Sequence, residues 1–191
     1  MKKLLSLILT LLTVMSLASC GAELDHARAR ELAEPLITAS QELDVILVGE
    51  GLPATEEKNG KYTKVASEKY TSVSEIKAAM MEIYTPELYE ILAGNSLKGS
   101  SNEHGTIYSR YIDMDGALYS YDGAKVNVPY PRRYDFDTIH AINMTDIRII
   151  FTVDTYSADE NGNYSTTPEN IELKLIYDDA TGKWLLDTPT Y

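Results

Sequence analysis

The spacing of apolar residues changes twice along this chain. From Leu4 to Ala18 they run almost unbroken. Over residues 24–48 they recur every three or four positions, with Leu32, Leu36, Ala39, Leu43, Ile46 and Leu47 forming one stripe, which predicts an amphipathic helix. Pro35 sits inside that stripe and predicts a kink or the true helix start. Gly49–Pro53 ends it, and "ATEEKNGK" reads as a polar loop before a short strand near Tyr62–Ala66. Ser72 and Glu75 then have capping-box spacing, followed by Val73, Ile76, Met80 and Ile83 at helical intervals. Thr85-Pro86 has the form of an N-cap with proline at the first helical position, and a second short helix should run to Leu92 and stop at Gly94.

Beyond residue 105 the period becomes two. "TIYSRYIDMDGALYSYDG" gives two strand-like runs about Asp115-Gly116, a favoured hairpin turn. "TDIRIIFTVDTY" places Ile147, Ile149, Phe151 and Val153 on one face. "NIELKLIYDDATGKWLLD" does the same for Ile171, Leu173, Leu175 and Tyr177, turns at Asp179–Gly182 and returns through Trp184 and Leu186. "SADENGNYSTTPE" joins these long strands as a polar hairpin loop. Helices first and antiparallel strands afterwards predict an α+β fold, N-terminal helices packed on one face of a curved antiparallel sheet.

The first apolar run is too short for the ~20 residues of a membrane-spanning helix. With Lys2 and Lys3 before it and small residues at its exit, it has the form of a secretory signal peptide. The exit, Leu17-Ala18-Ser19-Cys20, resembles the lipobox of bacterial lipoproteins, in which the cysteine thiol is acylated and the peptide before it removed. Cys20 is the sole cysteine of the chain. Residues 1–19 are thus expected to be the signal peptide, 20–23 a lipidated tether, and 24–191 a single domain. A domain of ~150 residues buries roughly 68–70% of its unfolded surface and needs no disulfide. Cleavage takes two of the 17 basic residues and none of the 29 acidic ones, so the balance moves from −12 to −14. Such a charge argues against nucleic acid as a partner and suits a basic protein. The expected location is the outer face of the cell membrane, or the outer membrane or periplasm, held by the lipid alone.

Candidate chemistry is sparse. His26, His104 and His140 are scattered, with no zinc-ligand spacing, and predict no metal site. "YIDMDGALYSYD" puts Asp113, Asp115, Gly116 and Asp122 near calcium-loop places, but Tyr111 stands first and the flanks alternate like strands, so a hairpin is expected. "GNSLKGSSNEHG" holds serines and His104 in what reads as a flexible loop that would hold no base at hydrogen-bond distance. No cofactor and no enzymatic activity are expected, although proton transfer by a buried Asp–Tyr pair stays open. The 14 tyrosines read mostly as packing residues. Residues 122–137, "DGAKVNVPYPRRYDFD", form the longest irregular segment, with Arg132-Arg133 unusual in an acidic chain. Two readings stand: a binding loop offering Tyr130, Arg132, Arg133 and Tyr134, or a connection along the sheet edge whose arginines answer nearby carboxylates.

The order of the pieces also resembles a known family. "KYTKVASEKYTSVSEIKAAMMEIYTPELYEIL", "DMDGALYSYDG" and "TGKWLLDTP" are similar to segments of the secreted cell-wall DL-endopeptidase inhibitors of Gram-positive bacteria, over roughly residues 30–188. The resemblance implies a cystatin-like or NTF2-like arrangement of helix and curved sheet. It also implies a monomeric inhibitor that presents a loop to an NlpC/P60-type peptidase, a cell-envelope hydrolase. Where the family has a Gly-rich charged segment, this chain has "GAKVNVPYPRRY". The alternative is a small-ligand or glycan binder using a pocket between helices and sheet.

Overall fold

The structure, a computed structural model, describes residues 24–102, 105–125 and 132–191. The leader, Cys20, His104 and Tyr130 lie outside the described residues, and no helix among those described is long and apolar enough to cross a membrane.

Helix α1 (His26–Leu47) starts at Asp25, whose carboxylate accepts from the Arg28 N–H at 2.8 Å. It runs through Pro35 without ending there. Its buried stripe is Ala29, Ala33, Ile37, Ser40, Leu43, Ile46 and Leu47, which meets the predicted one at Leu43, Ile46 and Leu47 and is offset from it before them. Leu32, Leu36 and Ala39 pack only partly against the core. The small residues face inward because they let the helix backbone lie close to the sheet beneath it, and the leucines cover the flank.

Strand β1 (Ala54–Asn59) takes the place of the expected polar loop and pairs with β2 (Tyr62–Val65), the short strand expected near Tyr62–Ala66. Gly60, at φ 64°, fills the first place of the two-residue turn between them, and β1 is fully exposed as an edge strand. Helix α2 (Val73–Met81) begins at Ser72, with Glu75 closing back on the Thr71 N–H at 2.6 Å. Helix α3 (Pro86–Ser96) starts at Thr85 as predicted but passes through Gly94. Its last turn is held by Ser96, whose hydroxyl donates to the Leu47 carbonyl at 2.9 Å. The segment expected to be a loop pairs β3 (Ser100–Asn102) with β4 (Gly105–Ile107). Strands β5 (Tyr111–Met114) and β6 (Ala117–Tyr121) meet at Asp115 and Gly116, both at positive φ, as a tight hairpin.

The largest departure is β7 (Arg132–Met144), a 13-residue strand whose first part, residues 132–137, was expected to be irregular. It pairs with β8 (Arg148–Ser157), which pairs with β9 (Glu169–Asp178), which pairs with β10 (Lys183–Leu186). The fold is α+β, but the described strands make two four-stranded antiparallel sheets, β1-β2-β6-β5 and β10-β9-β8-β7, rather than one. A physical reason is visible at β10: its edge is occupied by the α2–α3 step, where Leu186 N–H donates to Ile83 and Thr85 N–H to Leu186. The two sheets and three helices share one core, from Ile37 and Leu43 through Tyr111 and Leu118 to Phe151, Leu173 and Leu175. Ile147, predicted to share the face of Phe151, lies outside β8 and is exposed.

The end of α1 is locked to this core. The Tyr111 hydroxyl donates to the Ile46 carbonyl at 3.0 Å and accepts from the Leu52 N–H at 2.9 Å, with the ring 1% exposed. Replacing Tyr111 by phenylalanine leaves both backbone groups without that partner. Urea unfolding should show a loss of about 1–3 kcal/mol for Tyr111→Phe; a loss near zero would mean that water satisfies both.

Candidate functional site

A bulge in β7 shapes the most distinctive concave surface. Asp135 is opposite Asp154 and His140 opposite Thr152, so the four residues 136–139 of β7 face the single residue Val153 of β8. The Thr138 hydroxyl closes the bulge, donating to the Asp135 carbonyl at 2.7 Å and accepting from the Asp154 N–H at 2.8 Å. The Asp135 carboxylate accepts from the Asp137 N–H at 3.2 Å. The alternation of "RRYDFDTIHAI" breaks at the same place: Tyr134, Ile139 and Ala141 are buried. A groove of about 340 Å³ lies along the bulge, with Arg30, Arg133, Asp135, Phe136, Asp137 and Tyr156 in its walls and the buried Tyr134 also reaching it. Arg30, from α1, bridges Glu34 at 3.2 Å and Asp137 at 2.5 Å across the opening.

Strand geometry separates the residues expected to act together. Arg132 and Tyr134 share one face of β7, and Arg133 takes the other. Tyr134 is a core residue: it is 7% exposed, and its hydroxyl donates to the Thr190 carbonyl at 2.5 Å. Arg132 is half-buried, reaching Glu169 at 3.4 Å, while its carbonyl accepts from the Gln41 amide. For Arg132 the geometry is that of a connection whose arginine answers a carboxylate. Arg133 alone of the three is exposed, its Cζ lying 4.6 Å from the Tyr156 ring centroid and 5.1 Å from that of Tyr164. Tyr164 is presented by the β8–β9 loop. That loop is ordered by Asp159, whose carboxylate accepts from the Asn163 and Asn161 N–H groups, and these bonds hold it below the usual carboxylate range.

A second cluster is buried where α1 meets the sheet. The Thr190 hydroxyl donates to Asp44 Oδ2 at 2.7 Å, and Ser40 stands 2.5 Å from Thr190 and 2.9 Å from the Tyr84 hydroxyl. Each hydroxyl has one hydrogen, so with Asp44 ionised the order is forced: Tyr84 gives to Ser40, Ser40 to Thr190, Thr190 to Asp44. Burial pushes the Asp44 carboxyl up to about 6, against the Thr190 bond that pulls it down. Burial likewise drives the Tyr84 and Tyr134 phenols upward. Asp44 and Tyr84 are thus linked through two intervening hydroxyls, and the chain ties Thr190 to α1.

The remaining candidates divide simply. Asp113 caps α2 through the Val73 N–H at 2.9 Å, Asp115 sits in the hairpin turn, and Asp122 meets Lys58 at 2.9 Å, so the acids of the calcium-like stretch serve three places. His26 and His140, distant in sequence, stack with centroids 4.2 Å apart, and His26 Nδ1 accepts from the Ala141 N–H at 2.9 Å. Among the described residues no group of three or more His, Cys, Asp or Glu side chains is disposed to hold a metal ion. Tyr108 and Tyr121 stack at 4.8 Å beside Tyr62, with Lys61 over Tyr108. No protein-family model matches the chain, and no curated protein matches it significantly.

Asp44 dictates a pH signature. Its folded value, about 6, lies above the ordinary ~3.9 of an unfolded aspartate, so the folded state holds the proton more tightly. This group's contribution is most favourable below pH ~4 and declines by ~3 kcal/mol as pH rises through about 6. Asp44→Asn should remove that step. Unfolding free energies of the two proteins, measured from pH 4 to 8, should diverge in favour of the variant as pH rises; parallel curves would count against the assignment.

Proposed function

We propose that the chain is a lipid-anchored extracytoplasmic lipoprotein that binds and restrains a peptidoglycan DL-endopeptidase of the NlpC/P60 type, without catalysing a reaction itself. The observation that carries this reading is Arg133, exposed over Tyr156 and Tyr164 on the lip of the β7 groove. Arginine and tyrosine are the residue types that dominate protein interfaces, and a bulge re-aims side chains outward from a rigid strand. The cystatin-like or NTF2-like arrangement belongs to the same proposal, and α1 lying against β7 and β10 supports it. The acidic surface favours encounter with a basic enzyme, and the Cys20 lipobox would station the protein where such enzymes work.

A ligand pocket between helices and sheet has less support. That space is filled by Ile37, Leu43, Phe151 and Leu175 and by the hydroxyl chain from Tyr84 to Asp44. The closure of that chain by Thr190, 2% exposed, also favours a structural over a catalytic role for Asp44.

Turnover of wall fragments by such a peptidase should fall when the mature chain is added at micromolar concentration, and unchanged turnover removes the proposal. Arg133→Ala should raise the half-inhibitory concentration at least about tenfold. In the native host, Cys20→Ser should move the protein from the membrane fraction to the soluble one; a variant still sedimenting with membranes would dismiss the lipid anchor.

A further inference from the structure

Arg133 differs from the other described arginines in what it touches. Arg28, Arg30 and Arg132 each reach a carboxylate, Arg110 donates from its two Nη atoms to the Lys125 and Gly49 carbonyls, and Arg148 turns to Asn143. Arg133 has two aromatic rings and, among the described residues, no oxygen acceptor for its guanidinium. The acids nearest along its strand are engaged: Asp135 closes the bulge, and Asp137 takes Arg30. Ring contacts use the faces of a planar guanidinium and leave its N–H edge, whose fork matches a carboxylate with two parallel bonds. The tyrosines hold that edge in place, which cuts the entropy lost on binding. The surrounding charge also matters. In a chain this acidic the general field repels anions, so anion binding has to come from a local receptor.

We propose that Arg133, held over Tyr156 and Tyr164 at the lip of the β7 groove, is the receptor for a carboxylate of the protein partner. This deepens the proposed function and rests on the chain being a partner-binding protein. The complementary surface is an aspartate or glutamate side chain that enters the groove between Arg133 and Arg30 and takes the Arg133 edge bidentately. The half-exposed ring of Tyr164 forms the outer wall. Lysine cannot substitute, because an ammonium offers neither the planar fork nor the ring-stacked face.

The test follows the guanidinium Nε–H resonances of the lipid-free mature chain. Acetyl-glutamate N-methylamide should shift the Arg133 signal saturably, and the neutral acetyl-glutamine N-methylamide should not. The Arg132 signal, already paired with Glu169, should stay still in both titrations. No shift at Arg133, or equal shifts with both probes, overturns the proposal. Arg133→Lys, followed through the backbone amides of residues 133 and 156, should bind the acidic probe at least about tenfold more weakly. Binding unchanged by that substitution also overturns it. In a final arm the NlpC/P60-type peptidase replaces the probe and should shift Arg133. Wall fragments that shift it as strongly as the enzyme would overturn the assignment to a protein carboxylate. Inhibition of the peptidase with an unmoved Arg133 signal would defeat this inference alone, and a carboxylate response without inhibition would defeat only the proposed function.

Discussion

The C-terminal end of α1 is where the first sheet and α3 are tied together, and the rest of the structure depends on how its carbonyls are met. Helix ends leave carbonyls without partners, and this one carries no basic residue in its last turn. The partners come from elsewhere in the chain: Tyr111 for Ile46, Ser96 for Leu47, and Arg110 for Gly49. Arg110 is 7% exposed, a buried cation set against the negative end of the helix macrodipole. Gly51 permits the approach. Its φ is 90°, and a Cβ there would stand 2.9 Å from the Arg110 Nη2 atom. One helix terminus thus fixes α3 and β5 together.

The other end of α1 and its middle fix the second sheet. His26 takes the Ala141 N–H, Gln41 gives to the Arg132 carbonyl, and Ser40 and Asp44 gather residues 187–191 against β7. Clamped at those points, β7 takes up its surplus residues as the bulge at 136–139, and the bulge forms the groove. The groove proposed to bind a partner sits at the place where a long strand is held at both ends and bends between them. The desolvated Asp44 is a cost of this clamp, offset by a hydroxyl chain in which every donor has an acceptor.

Much of the local structure was legible from neighbouring residues. Ser72 and Thr85 start their helices, Asp115-Gly116 turns its hairpin, and Phe151, Val153, Leu173 and Leu175 share a buried face, because capping, turn dihedrals and period-two alternation depend on a few adjacent positions. The misreadings have a common origin. The Gly60-Lys61 turn makes a hairpin of a segment so polar that β1 carries little apolar signal. In "RRYDFDTIHAINM" the bulge shifts the alternation midway, so the first part of a 13-residue strand, residues 132–137, reads as irregular. In the first half of α1 Leu32 and Leu36 mark the flank while Ala29 and Ala33 take the packed face, which inverts the usual weighting of leucine over alanine.

By itself, then, the sequence determined the α+β class, the helix starts, the hairpin turns and the acidity of the chain, since each follows from residues within a few positions or from composition. Tertiary structure alone decided the division into two sheets, the desolvation of Asp44 and the separate fates of Arg132 and Arg133. Those outcomes depend on which distant groups come within a few ångströms. Glu169 reaches one arginine, and the ring of Tyr164 reaches the other, because strand pleating sends adjacent side chains to opposite faces.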